Sequence, residues 1–389
     1  MQTGDFHNFG RSVSVGARWV KKPRTVFWEW LVLGVDSPLR RALALAAEQE
    51  GLGPDAFAFL PGLRFRRSLR AGEVERVRLE PLGRLSARGK SELAVVVGRS
   101  LALFSWLGVA DLHWENLALG RGARGQLCFA PLDIEIALSV LALPTETKLL
   151  PDADPEYADV CRHAAGVRRV LPYLGKPVAG GDLVTMVAAY LATLALLERH
   201  ASALARSIAR APGFRQAPIR VCLRGTDEYV RARSVPPWPP LLEAELEQLE
   251  RGDIPYFFRL YGQPGIRFYA NRALSATGML PRKGDVPQLE PLLAVTRGFR
   301  SGSRRSLREE GVFALLGAFD HAALAGPVRH GELSVTFGAR RLTVTLPSGE
   351  VLGAPRALAG LVGSVYLGCR CGEVRSVLVP PVTRCRGGL

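Results

Sequence analysis

No apolar run in this sequence is long enough to span a bilayer. The best candidate, Leu183–Leu197, has about 15 residues against the ~20 that a span needs, and Glu198-Arg199-His200 follows at once. That stretch predicts a buried core helix, with Asp182 as its N-cap. A secretory signal is missing too, because Met1–Asn8 is polar and has no apolar h-region. Cysteine is sparse, and six in 389 residues make no disulfide framework. Cys369-Arg370-Cys371 with Cys385 offers three zinc ligands and no fourth at a suitable spacing, so reduced thiols and a cytoplasmic setting are expected. There is no internal repeat, no low-complexity tract and no helix-turn-helix, zinc-finger or RNA-binding signature.

What is present describes an ordered globular protein: 48% hydrophobic and 22% charged residues. The length suits two or three domains, or one large bilobal unit. Lys and Arg number 51 against 36 Asp and Glu, a formal charge of +15. Most of it is scattered arginine, and the densest run, Arg297–Arg308, holds five. Without a nucleic-acid motif a nucleic-acid partner is not expected, and attraction to an acidic peptide or to nucleotide phosphates explains the charge.

Several elements can be read directly. Ser14–Lys21 reads as a strand leading to Lys22-Pro23-Arg24. Asp36-Ser37-Pro38 caps a helix over Leu39–Gln49, ended by Gly51. Alternating Val77, Leu79 and Leu82 suggest β structure within Arg64–Gly83. Glu92–Gly108 is almost entirely apolar, a buried helix ending on a Gly that can cap it. Pro144–Pro155 marks a surface loop, a helical region runs from about Leu183 to Arg210, and Ile219–Leu223 reads as a strand. Pro236–Pro240 precedes an acidic helix, Leu241–Arg251. From Glu332 the alternation of Leu333, Val335, Phe337, Leu342, Val344 and Leu346, with a bend at Ser348-Gly349, predicts a small β element.

Chemistry concentrates in four places. Asp111-Leu112-His113-Trp114-Glu115-Asn116 and, farther on, Asp133-Ile134-Glu135 supply an Asp to orient a hydroxyl and an Asn and Asp to hold Mg²⁺ on nucleotide phosphates. A cluster so polar between apolar runs is costly unless metal or substrate satisfies it. Gly4-Asp5-Phe6-His7-Asn8 puts Asp5 and His7 on one face of an extended segment, where they can jointly manage a proton. Lys22, at a strand end, can reach nucleotide phosphates. Arg220, with Thr226 at the far end of the same strand and loop, can grip a phosphate, although without further context an ordinary strand and turn is the better reading of those two residues.

In this order the pieces resemble the dehydratase domain of class II lanthipeptide synthetases, the LanM type. Asp5-Phe6-His7 is similar to that family's first Asp-x-His segment, Lys22-Pro23-Arg24 to its Lys-Pro-Arg strand and Asp111–Asn116 to its catalytic loop. Asp133-Ile134-Glu135 is similar to the paired acids that follow, Arg220 with Thr226 to its Arg and Thr pair, and Gly252-Asp253-Ile254-Pro255-Tyr256-Phe257 to a signature near its activation loop. The matches run from Met1 to roughly Phe319. The resemblance implies an α+β, bilobal kinase-like fold related to lipid kinases. Residues 1–91 would form the smaller lobe, 92–330 the helical lobe and 331–389 the small β element. It implies that ATP and Mg²⁺ are used to phosphorylate Ser and Thr of a ribosomal precursor peptide, and that phosphate is then eliminated to leave dehydroalanine or dehydrobutyrine. Lys22 would contact ATP phosphates; Asp111 and His113 would serve transfer; Asn116, Asp133 and Glu135 would hold or support Mg²⁺. Asp5, His7, Arg220 and Thr226 would serve elimination, with Lys22 shared.

The chain departs from the family in three ways. Family members carry a large region ahead of the first Asp-x-His segment, which here starts at Asp5. They also carry a C-terminal zinc cyclase whose Cys-His ligands Cys369-Arg370-Cys371 does not reproduce, and the Glu135–Arg220 stretch is short. A separately encoded cyclase or leader-binding partner is therefore expected. A kinase of a small molecule or peptide without elimination, and a non-catalytic partner subunit of a split synthetase, are the other readings of the same residues.

Overall fold

A computed structural model describes residues 2–68, 71–138, 147–151, 165–232, 234–235, 241–263, 265–280, 307–308, 311–319, 321 and 323–356, with short strands at 365–366, 375–376 and 383–385. The described chain is mixed α and β, with several separate sheets.

The N-terminal sheet is antiparallel, in the order β1-β2-β3-β5-β4: β1 Gln2–His7, β2 Arg11–Val15, β3 Trp19–Lys22, β4 Phe65–Arg67 and β5 Gly72–Glu75. The single strand expected over Ser14–Lys21 is two. Gly16 opens a tight turn, its N–H donating to the Trp19 carbonyl at 2.9 Å, and the chain folds back as a hairpin. Two helices lie between β3 and β4, α1 Phe27–Leu33 and α2 Pro38–Gln49. All of α1 is buried. α2 starts as its sequence predicts, with Pro38 in the first turn and the Ser37 hydroxyl accepting the Arg40 N–H at 3.4 Å.

α3, Ala87–Trp106, starts before the apolar run because the Ser86 hydroxyl caps it, accepting the Gly89 N–H at 3.2 Å. It ends as expected on Gly108, whose left-handed φ of 59° lets the Val109 N–H return to the Phe104 carbonyl at 2.9 Å. The 91/92 division therefore falls inside a helix. The hairpin β6 Leu117–Arg121 and β7 Leu127–Pro131 follows. α4, Gly180–Arg199, packs along α3 so closely that a Cβ on Gly98 would lie 2.3 Å from the Met186 carbonyl oxygen. At 20 residues α4 is longer than the apolar run read from the sequence, and by length and composition it can cross a membrane, with a mean hydropathy of 1.6, yet 56% of that window is buried inside the protein, as the core-helix expectation has it. Asp182 is not its N-cap. The helix begins at Gly180 behind Ala179, leaving Asp182 in the first turn. The C-terminal sheet covers that turn, with Val328 3.1 Å from where a Gly180 Cβ would stand, so packing starts a helix that Gly-Gly disfavours.

α5, Ala201–Ala209, completes the helical region. β8 Ile219–Val221, α6 Thr226–Arg231, α7 Glu243–Glu250 and β9 Phe257–Arg259, β10 Arg267–Tyr269 and β11 Thr277–Met279 form the next unit, its sheet ordered β11-β10-β9-β8. α8, Gly311–Gly317, leads to β12 Gly326–His330, β13 Leu333–Phe337, β14 Arg341–Thr345 and β15 Val351–Pro355, which with Thr383–Cys385 make the final antiparallel sheet. The small β element thus begins at Gly326, because β12 pairs along the whole of β13. One hydrophobic cluster reaches from Phe27 to Ala354 and ties the N-terminal helices, α3, α4 and this sheet together.

Two other expectations change. Val77–Leu82 forms no strand, and among the described residues its backbone pairs only where Glu80 bridges Arg121. Of the surface loop expected over Pro144–Pro155, only 147–151 is described, and Thr147, Leu149 and Leu150 there are buried. Cys369 and Cys371 lie outside the described residues.

Candidate functional site

The N-terminal hairpin is held from the far end of the chain. Its turn, Asn8-Phe9-Gly10, is left-handed at all three residues, with φ of 50°, 71° and 71°, so its amides point together. The fully buried carboxylate of Asp253 takes them, accepting the Phe9 N–H at 2.7 Å and the Gly10 N–H at 2.8 Å. The next residue, Ile254, donates its N–H to the Phe6 carbonyl at 2.7 Å. The Gly252–Phe257 motif is therefore a clamp on the segment that carries Asp5 and His7.

That clamp also fixes the His7 tautomer. His7 Nδ1 lies 2.7 Å from the Ile254 carbonyl oxygen, which can only accept, so Nδ1 carries the proton and Nε2 keeps its lone pair. Burial and the nearby Arg220 guanidinium push the His7 pKa below its ordinary value, against weaker upward pulls that include Asp5. His7 is accordingly a neutral imidazole near pH 7, suited to take a proton. Asp5 is exposed and acts on His7 through its charge.

Lys22 and Arg24 stand at the centre of a charge network. Lys22 is buried at the end of β3, and its ammonium donates to Glu29 Oε1 at 3.0 Å, the Leu132 carbonyl at 2.8 Å and Asp133 Oδ1 at 2.6 Å. All three of its protons are used. Arg24 donates to Glu135 Oε1 at 2.5 Å, to Glu29 Oε1 at 2.6 Å and to Asp133. Arg220, on β8, donates to Glu135 Oε2 at 3.0 Å, and its guanidinium lies 5.6 Å from the Tyr256 ring centroid. β8 is set in place from both sides. The Arg220 N–H donates to the Glu135 carbonyl at 3.0 Å, and Trp28 of α1 donates to the Pro218 carbonyl at 2.7 Å. Three cations thus face Glu29, Asp133 and Glu135. Burial pushes the Asp133 carboxyl up, but Arg24 and Lys22 outweigh it and hold it well below the usual range. For Arg220, burial is overcome by Glu135, which raises it. Loss of one partner from such a buried set costs about 3–5 kcal/mol, because the charge left behind has no water to replace it.

The loop after α3 brings Asp111 to the same place. Asp111 has a left-handed φ of 67°, a strain of about 1–3 kcal/mol for a residue with a Cβ. The backbone on either side holds it there. Leu112 N–H donates to the Thr147 carbonyl at 2.8 Å, and Asn116 Nδ2 donates to the Asp111 carbonyl at 2.9 Å. Lys148, also left-handed with φ 56°, donates its ammonium to Asp111 Oδ1 at 3.0 Å. Burial raises the Asp111 carboxyl and Lys148 more than reverses this, with lesser downward pulls from His113 and Arg220. The Asn116 carbonyl accepts the Leu132 N–H at 2.7 Å, which sets Asn116 beside Asp133.

Of the residues expected in a site, Asp5, His7, Lys22, Asp111, His113, Asn116, Asp133, Glu135 and Arg220 belong to this connected group. Thr226 is exposed at the start of α6 and makes no polar contact with it among the described residues. Arg24, Glu29, Lys148, Cys222, Asp253 and Tyr256 join without having been singled out as site residues. Glu29 carried no local signal, and Lys148 lies in a stretch read as a surface loop. Cys222, one residue beyond β8, reaches solvent, yet burial pushes its thiol up. No group of three or more His, Cys, Asp or Glu among the described residues is arranged to hold a metal by itself.

Compared with known proteins, the chain matches no family model and no curated protein.

Proposed function

We propose that this chain is a lanthipeptide-type dehydratase, which phosphorylates Ser and Thr of a ribosomal precursor peptide with ATP and Mg²⁺ and then eliminates the phosphate. The observation that carries the reading is the meeting of His7, Lys22, Asp111, Asp133 and Arg220 in one group, with a neutral His7 whose Nε2 is free beside the Arg220 cation. In this reading the N-terminal sheet and the α3–α4 region are the two lobes of a kinase-like, lipid-kinase-related fold. The Lys22–Glu29 ion pair between a strand and a buried helix supports that, since kinases hold their phosphate-binding lysine in the same way.

Asp111 orients the substrate hydroxyl and takes its proton as the oxygen bonds to the γ-phosphorus of ATP, the bond from that phosphorus to the bridging oxygen breaks and ADP leaves. His7 Nε2 then takes the proton from Cα, the Cβ–O bond breaks, and inorganic phosphate departs against Arg220 and Lys22, leaving the dehydro residue. Asn116 and Asp133 suit Mg²⁺ carried in on the nucleotide. Asn116 spends Nδ2 on Asp111 and has no partner at Oδ1, and Asp133 takes its cations on Oδ1 with no partner at Oδ2, among the described residues. Two protein oxygens are enough when phosphates and water complete the shell. Mg²⁺ when bound supplies neutralisation of phosphate charge. A cytoplasmic setting and a separate cyclase belong to the same reading.

Intact mass spectrometry of a precursor peptide co-expressed with this chain tests it. Loss of one water mass per modified residue is expected. Addition of phosphate without water loss would instead make the chain a kinase, and no change in mass would leave it a partner subunit.

A further inference from the structure

Away from the candidate site, α2, the turn Pro54–Phe57 and the β6–β7 hairpin enclose an open pocket of about 780 Å³, which shares no residue with the group above. Leu43, Phe57, Leu60 and Leu63 give it an apolar floor. Arg18, Arg40, Arg76, Arg78 and Arg124 line it against only Asp55 and Glu75. Three of the arginines have partners. Arg40 donates to the Leu60 carbonyl at 3.0 Å, and Arg18 faces Glu75 at 3.9 Å. Arg78 donates to the Ala17 carbonyl at 2.8 Å, which leaves its guanidinium exposed and without an acid. Arg76, Arg78 and Arg124 are exposed and form no ion pair among the described residues.

One wall of the pocket is the segment Val77–Leu79, between β5 and β6. Backbone pairing along this wall stops at Arg76, whose N–H donates to the Arg18 carbonyl at 2.8 Å, and resumes at Glu80, which exchanges bonds of 2.9 and 2.8 Å with Arg121. Between them, no backbone group of Val77, Arg78 or Leu79 makes a hydrogen bond among the described residues. β4 runs beside β5 only as far as Phe65, because the chain before it is drawn off at Leu63 to bridge Gly34. Pro61, Gly62 and Leu63 line the same pocket, so the unpaired segment and the chain that turns away from it border one space.

We propose that this pocket captures an extended acidic peptide segment, which pairs with Val77–Leu79 as an added strand and sets its carboxylates on Arg76, Arg78 and Arg124. Strand addition satisfies unpaired main-chain groups and lets alternate side chains enter a pocket, here apolar below and cationic at the rim. A nucleic acid answers the charge but offers no strand to the three unpaired residues. The inference stands apart from the chemistry proposed for the candidate site.

Fluorescence anisotropy of the full chain with a labelled, blocked peptide alternating Glu and Val tests it. Saturable binding that weakens with salt is expected. Arg76→Glu/Arg78→Glu/Arg124→Glu, all exposed positions, should lower the affinity by at least about tenfold with an unchanged thermal melt. On the unaltered chain, the same peptide N-methylated at alternate amides should bind at least about tenfold more weakly, because it cannot pair as a strand. No saturable binding would overturn the proposal, as would equal binding of the N-methylated peptide. So would a single-stranded oligonucleotide of matching charge that binds as tightly and is lost equally in the variant.

Discussion

In the candidate site, Arg24 and Arg220 are enclosed and held by carboxylates at 2.5 to 3.0 Å, whereas on the pocket rim Arg76, Arg78 and Arg124 are exposed and form no ion pair among the described residues. The same side chain therefore does two different things. Buried cations fix geometry, because each is tied to acids from other parts of the chain and cannot leave without stranding them. Rim cations strand no acid when removed, Arg78 holding only the Ala17 carbonyl at 2.8 Å, and their charge is available to an outside partner. The formal charge of +15 is the sum of both kinds, which is why composition alone could not say where a partner would sit.

The sharpest way to break this comparison is to remove one buried cation. Arg220→Ala should lower elimination by about 100-fold or more while phosphorylated peptide accumulates, since the leaving phosphate loses its facing charge. Mass spectrometry distinguishes the two masses, and equal loss of both steps would assign Arg220 a merely structural role. The Arg76/Arg78/Arg124 reversal should leave the modification of a short peptide lacking acidic residues unchanged.

The next largest effect concerns the clamp. Asp253→Asn weakens two charge-assisted bonds to a buried turn and should cost about 3 kcal/mol, read as a lowered melting temperature. Because the turn positions His7, elimination should suffer more than phosphoryl transfer. Equal loss of both activities at a temperature where the variant is folded would argue that the clamp serves the whole site.

A smaller effect follows from the environment of His7. Its pKa lies below the ordinary 6.5, so its neutral form is favoured in the fold. The stability this provides is full above pH 6.5 and is lost as pH falls through the lower folded value. Elimination should likewise persist somewhat below pH 6.5 before its acid limb sets in. In Arg220→Ala the imidazole resonances of His7 should titrate at higher pH, because a neighbouring cation has gone. An unmoved titration would mean that burial alone sets the value.

How much of this was legible follows the range of the forces involved. α2 and the end of α3 were readable because Ser37-Pro38 and Gly108 act within a turn of where they stand. Asp111, Asn116 and Asp133 were readable because their chemistry needs a fixed local spacing. Glu29 was not, since its meaning comes from Lys22 and Arg24 folding over it. The start of α4 was misplaced at Asp182 because the sheet that stabilises Gly180 lies more than 140 residues later. The alternation at Val77, Leu79 and Leu82 was read as a strand, and the segment forms none: between Arg76 and Glu80 its backbone makes no hydrogen bond among the described residues. The pattern records what a strand needs on its faces and carries no information about its edges.

Lys148 gives the smallest expected effect and the finest test of the contrast, because its pair with Asp111 belongs to neither kind of region. Both side chains are partly exposed, at 49% and 35%, so the pair adds little to stability. Its effect is on Asp111, whose carboxyl it holds below the usual value. With Lys148→Met the acid limb of phosphoryl transfer should move to higher pH and the rate at neutral pH should fall by a few-fold, while the melting temperature stays within about a degree or two. Lys148→Arg, which keeps the charge, should restore the acid limb. If Met and Arg variants behave alike, the left-handed backbone at Lys148 would be what positions Asp111, and its charge would be incidental.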